Sequence, residues 1–177
     1  MASIRVVTGA ARSGKSEWAE RWAAESGRSV IYVATAQLDP QDAEWQARIT
    51  QHQQRRPSHW QTQWVPVALA PLLRSGRSHE CYLVDSLGTW LANLLDQDEA
   101  QWQATVVDLL ESVQHSQSLI IFVAEETGWG LVPAYPIGRL FRDRLGHLVR
   151  HLGAIADDIY LVVAGHALNL RDLGKPL

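Results

Sequence analysis

The chain has 177 residues, 46% of them hydrophobic, enough for one domain spanning 1–177 with a proper core. Its formal net charge of −3 argues against a general affinity for nucleic acid or anionic membranes. The single cysteine, Cys81, excludes an intramolecular disulfide and a cysteine-based metal cluster.

Met1–Val7 is too short to read as a secretory signal, and no apolar run reaches the ~20 residues that span a bilayer. The expectation is a cytoplasmic protein with no membrane insertion. The predicted strands are short and apolar without alternation: Ile4–Thr8, Val30–Ala34, Tyr82–Asp85, Leu119–Ala124 and Ile159–Ala164. Such runs suit strands buried on both faces of a parallel sheet. Helical spacing predicts helices over Ser16–Ser26 (stopped by Gly27), Gln41–Gln54, Leu87–Leu95, Ala100–Gln114 and Arg139–Ile155, and Gly76–Glu80 reads as a turn. The alternation predicts an α/β fold with a mostly parallel central sheet flanked by helices. Cys81 opens a strand and reads as a buried structural thiol. Most of the eight tryptophans fall at helical spacing among apolar neighbours and read as core.

Between the first strand and the first helix lies Gly9-Ala10-Ala11-Arg12-Ser13-Gly14-Lys15-Ser16, which satisfies every fixed position of a Walker A phosphate-binding loop. In such a loop backbone N–H groups wrap phosphate oxygens, and Gly9 and Gly14 permit turns and close approaches that a Cβ would obstruct. Lys15 reaches the β- and γ-phosphates, Ser16 places a hydroxyl on Mg²⁺, and the helix N-terminus faces the anion. Asp85, at the end of an apolar strand, has two readings. It either holds Mg²⁺ directly or through water, or it caps the helix that starts at Leu87.

The stretch Arg48-Ile49-Thr50-Gln51-His52-Gln53-Gln54-Arg55-Arg56-Pro57 sets one histidine among arginines. Flanking positive charge favours a neutral imidazole, which is a competent nucleophile toward phosphorus. A basic helix end with an exposed histidine is the alternative. His147 and His151 are four apart but lack the intervening glutamate of a zinc helix, and the remaining histidines read as surface residues.

These motifs, in order, resemble one family. The loop resembles its Gly-Gly-Ala-Arg-Ser-Gly-Lys-Ser, and Tyr32-Val33-Ala34-Thr35-Ala36 its Tyr-Ile-Ala-Thr-Ala. Arg48-Ile49, His52, Arg56-Pro57 and Trp60 match an Arg-Ile-x-x-His-x-x-x-Arg-Pro-x-x-Trp block. Leu83-Val84-Asp85-Ser86-Leu87 with Trp90-Leu91-Ala92-Asn93, and Glu126–Pro133 followed by Phe141-Arg142-Asp143 and Gly146, continue the match to about Gly165. The family is the bifunctional adenosylcobinamide kinase and adenosylcobinamide-phosphate guanylyltransferase of cobalamin synthesis.

The resemblance implies a RecA-like P-loop fold, a homotrimer, and GTP and ATP as substrates with Mg²⁺. It implies phosphorylation of adenosylcobinamide, then transfer of GMP from GTP through guanylylated His52 to adenosylcobinamide phosphate. It further implies nucleotide contacts at Ala34, Thr35, Ala36, Gln53, Gln54, Arg55 and Arg56. Ala10 departs from the family's second glycine, Glu125 from an asparagine, and Trp64 from an acidic residue. A kinase-only phosphotransferase and a non-catalytic GTP-binding module are the competing readings.

Overall fold

The computed structural model describes residues 3–37 and 56–177. Their order is β1 (Ser3–Gly9), α1 (Lys15–Ala24), β2 (Ser29–Ala34), β3 (Gln61–Trp64), α2 (Leu69–Arg74), β4 (Glu80–Asp85), α3 (Leu87–Ala92), α4 (Glu99–His115), β5 (Leu119–Glu125), α5 (Pro136–Ile155), β6 (Asp158–Val163), β7 (His166–Asn169) and α6 (Leu170–Leu173). The seven strands form one sheet in the order β3-β2-β4-β5-β1-β6-β7. All pairs are parallel except β6–β7.

Alternate residues of each central strand feed two cores. Val6, Ile31, Val84 and Phe122 pack with Leu87, Trp90, Trp102, Leu109, Leu145 and Leu148 on the side covered by α2 to α5. Val7, Tyr32, Leu83 and Ile121 pack against Ala19 and Ala23 of α1 on the other. This two-sided burial is why the strands read as unbroken apolar runs. Cys81 is fully buried, and burial pushes its thiol up to about 11. Among the tryptophans, Trp90 and Trp102 are core, whereas Trp64 and Trp129 are exposed.

Two strands escape the apolar pattern, and α5 and α3 differ in their bounds. β3 is polar (Gln61-Thr62-Gln63-Trp64) because it is an edge strand paired only with β2. β7 is short and half-exposed, joined to β6 by the two-residue turn Ala164–Gly165, both at positive φ (49° and 75°). α5 starts three residues earlier than its amphipathic pattern, with Pro136 in its first turn, where a missing N–H costs nothing. α3 ends at Ala92 rather than Leu95. The predicted helix over Gln41–Gln54 lies outside the described residues.

β5 lies between β1 and β4. The phosphate loop therefore leaves the sheet two strands from Asp85, with the end of β5 between them. The crevice beyond the carboxyl ends of parallel strands is the expected ligand position in such a sheet.

Candidate functional site

The loop between β1 and α1 is held by its own backbone. Ser13 N donates to Ala10 O at 3.3 Å, and Trp18 N donates to Gly14 O at 2.9 Å to open the helix. Gly14 sits at φ 93°, the left-handed region where glycine is favoured. At Gly9 a Cβ would lie 2.4 Å from Val162 O and 2.7 Å from Ser13 Oγ, so only glycine fits. Ala10 is exposed, and Arg12 and Ala164 are the only non-glycine residues at positive φ among those described. The departure from glycine at position 10 is therefore accommodated without strain. Lys15 Nζ donates to Ala10 O at 3.2 Å, and Ser13 Oγ is buried with no hydrogen-bond partner. Both are groups that phosphate oxygens satisfy.

Asp85 faces this loop. Its Oδ1 lies 3.5 Å from Ser16 Oγ, and its Oδ2 accepts from Tyr32 Oη at 2.9 Å. The cap of α3 belongs to Ser86, whose hydroxyl accepts from Thr89 N in a capping box. The helix cap is therefore Ser86 and not Asp85. Ser16 and Asp85 present two hard oxygen donors to one point, which suits Mg²⁺ completed by water and phosphate. Among the described residues no group of three or more His, Cys, Asp or Glu gathers as a metal site of its own.

Tyr32 is buried, and desolvation, reinforced by Asp85, holds its hydroxyl well above the usual tyrosine range. It is thus the donor in its bond to Asp85. The guanidinium carbon of Arg56 stands 3.2 Å from the Tyr32 ring centroid, and Arg56 Nε and Nη1 are buried without a hydrogen-bond partner. The turn carrying Arg56 is fixed by Trp60, whose N donates to Pro57 O at 3.0 Å and whose ring packs in the α1-side core.

A polar lock joins the ends of β2, β4 and β5. Thr35 is fully buried; its Oγ1 donates to Ser86 O at 2.8 Å and accepts from Ser86 N at 3.1 Å. Asn93 Nδ2 donates to Thr35 O at 2.8 Å and to Pro66 O at 2.9 Å. Glu125 Oε1 accepts from Ser86 Oγ, and Oε2 accepts from Gly88 N at 2.9 Å. Thr35 is therefore committed to the lock, and Ala34 O is taken by Val65 N at 2.8 Å. Of the three residues at the end of β2, half-buried Ala36 is the one free of these bonds. A cavity of about 270 Å³ lies next to the loop, lined by Glu125–Gly128 and by Arg142, Asp143 and Gly146 of α5. Glu126 N, at its edge, donates to Gly9 O at 2.9 Å.

The structure thus brings together Gly9–Ser16, Asp85 and Arg56 with the end of β2. His52, Gln53, Gln54 and Arg55 lie outside the described residues. All six described histidines are exposed, as the sequence suggested. The roles of Tyr32, Glu125 and Asn93 were not read from sequence. A lone tyrosine inside an otherwise aliphatic strand run was the available signal for the first.

The family model for cobinamide kinase / cobinamide phosphate guanyltransferase matches residues 5–170. The chain belongs to this family. A curated relative, the bifunctional adenosylcobalamin biosynthesis protein CobP of Pseudomonas aeruginosa, is 42% identical over 174 residues, covering 97% of this chain and 98% of the relative. The corresponding CobU of Escherichia coli is 34% identical, covering 94% and 98%. A solved Pyrococcus horikoshii structure, Project ID PH0250, superposes with a TM-score of 0.57 at 6% identity, covering 95% of this chain and 85% of that one. That likeness concerns the fold alone. The cobinamide kinase family is a P-loop family, and the sheet and loop here are of that type.

Proposed function

We propose that this protein carries out the two reactions of its family. It phosphorylates adenosylcobinamide with a nucleoside triphosphate, then converts the phosphate to adenosyl-GDP-cobinamide with GTP. The observation that carries this reading is the Ser16–Asp85 pair, 3.5 Å apart at the mouth of the phosphate loop, inside a full-length family match.

In the first reaction the substrate hydroxyl oxygen attacks the γ-phosphorus, the β–γ bridge breaks, and the hydroxyl proton is lost. Lys15 and the loop N–H groups hold the triphosphate and offset the charge that develops on the transferring phosphoryl group. Ser16 and Asp85 would hold Mg²⁺, which supplies further charge neutralisation when bound. In the second reaction an imidazole nitrogen of His52 attacks the α-phosphorus of GTP and pyrophosphate leaves. A phosphate oxygen of the phosphorylated cobinamide then displaces histidine from that phosphorus. Splitting one displacement into two is the general gain of covalent catalysis. Arg56 supplies positive charge beside the loop, and the working form is a homotrimer.

The test uses α-³²P-GTP with Mg²⁺. The wild-type chain should take up label that is acid-labile and base-stable, as a phosphoramidate is, and His52→Ala should take up none. Absence of label on the wild type would remove the guanylyltransferase half and leave a kinase. Label persisting on His52→Ala would move the nucleophile elsewhere.

A further inference from the structure

We propose that Tyr32 is a positioning residue with two separable jobs: its hydroxyl orients the Asp85 carboxylate, and its ring face seats the Arg56 guanidinium. The inference rests on the nucleotide-binding reading of the loop but not on either transfer reaction.

The geometry assigns both jobs to one side chain. Tyr32 and Asp85 stand on neighbouring strands, with Tyr32 opposite Leu83 and Ala34 opposite Asp85 in the β2–β4 register. Two residues along a strand return to the same face, so both side chains lie on the α1 side, below the loop. The hydroxyl reaches Asp85 Oδ2 at 2.9 Å, leaving Oδ1 as the oxygen that meets Ser16 Oγ. That bond is one restraint on the carboxylate's last torsion, and removing it loosens the hold on the oxygen aimed at the metal position. Partners behind a metal ligand set its orientation in this way.

The ring does something different. The guanidinium carbon of Arg56 lies 3.2 Å from the ring centroid, while Nε and Nη1 are buried and hydrogen-bonded to nothing. Buried, unmet donors on a half-buried cation need compensation, and the ring face supplies part of it. The stacked plane fixes the direction of the donors, and an anionic phosphate oxygen is the chemistry that completes them. Tyr32 therefore ties a metal-orienting carboxylate to a phosphate-directed arginine, one through oxygen and the other through the ring.

Binding of a fluorescent GTP analogue separates the two, read once in EDTA and once across a Mg²⁺ titration. Tyr32→Phe keeps the ring and loses the hydroxyl. It should bind the analogue in EDTA as the wild type does, and need about tenfold more Mg²⁺ to reach the half-point of the Mg²⁺-dependent gain. Tyr32→Leu loses both, and should also bind several-fold more weakly in EDTA. Arg56→Lys, which keeps the charge but not the planar stack, should show the EDTA defect with a wild-type Mg²⁺ half-point. Melting temperatures within a few degrees of the wild type identify folded variants, and Tyr32→Phe alone decides the hydroxyl arm. An unchanged or lowered Mg²⁺ half-point in Tyr32→Phe overturns the first job. Equal EDTA affinities of Tyr32→Leu and Tyr32→Phe overturn the second. A wild-type chain that binds the analogue yet transfers neither phosphate nor GMP would sink the proposed function and leave this inference standing.

Discussion

The phosphate loop and the Asp85 centre face each other but are built in opposite ways. Gly9–Ser16 is one contiguous segment, and its anion-binding surface is mostly backbone. Its constraints are conformational: no Cβ at Gly9, left-handed φ at Gly14. The Asp85 centre is gathered from three strand ends and held by side chains, with Tyr32, Thr35, Ser86 and Glu125 from β2, β4 and β5 and the residues that follow them. Lys15 and Ser16 apart, the first tolerates side-chain change wherever the backbone is kept. The second tolerates backbone drift only as far as its hydrogen bonds reach.

Substitutions should divide along that line. Lys15→Ala removes the ammonium proposed to hold the triphosphate, and phosphoryl transfer to cobinamide should fall by about 10²–10³-fold in kcat. A rate within a factor of five would place the kinase site elsewhere. Gly9→Ala drives a methyl into Val162 O, a backbone atom that cannot rotate away. Nucleotide affinity should drop at least about tenfold by calorimetry, with stability falling by about 1–3 kcal/mol. Ala10→Gly, at an exposed position with negative φ, should leave affinity unchanged.

On the other side of the comparison, Glu125→Ala leaves Ser86 Oγ and Gly88 N without their acceptor. A stability loss of about 1–3 kcal/mol in urea should accompany weaker Mg²⁺-dependent nucleotide binding. Glu125→Asn should restore part of both, because an amide oxygen can accept one of the two bonds. If Glu125→Ala matched the wild type, the polar lock would be ornamental.

Away from both regions, Cys81 offers a pH test of the core. Its folded pKa of about 11 lies above the ordinary thiol value of 9.0. Above pH 9 the unfolded chain releases this proton before the folded chain does, so stability declines as pH rises from 9 toward 11. The slope is at most about 1.4 kcal/mol per pH unit for one such group. Urea midpoints across that range should fall less steeply in Cys81→Ala than in the wild type.

Legibility followed the same division. The loop, β1, β2, β4 and β5 were readable because each depends on local rules: spacing of glycines, or apolar runs buried on both faces. β3 and β7 were not, since an edge strand of Gln61-Thr62-Gln63-Trp64 has no hydrophobic period to detect. Asp85 was singled out with two readings, and the helix cap was seen to belong to Ser86 only in the structure. The bond from the Thr35 hydroxyl to Ser86, between residues 51 apart in sequence, was likewise not readable from either segment. Tyr32 and Glu125 were missed because their partners come from other strands, and no spacing within a single segment reports that.

The tight turn between β6 and β7 has a practical consequence. Ala164 occupies a left-handed conformation at φ 49°, directly before Gly165 at φ 75°. Such a two-residue hairpin favours asparagine followed by glycine, and an alanine held there costs about 1 kcal/mol. Ala164→Asn is therefore a route to a hardier protein. A preparation with a melting point raised by a few degrees would give the more demanding variants, Gly9→Ala and Glu125→Ala among them, a margin in which to fold and be measured.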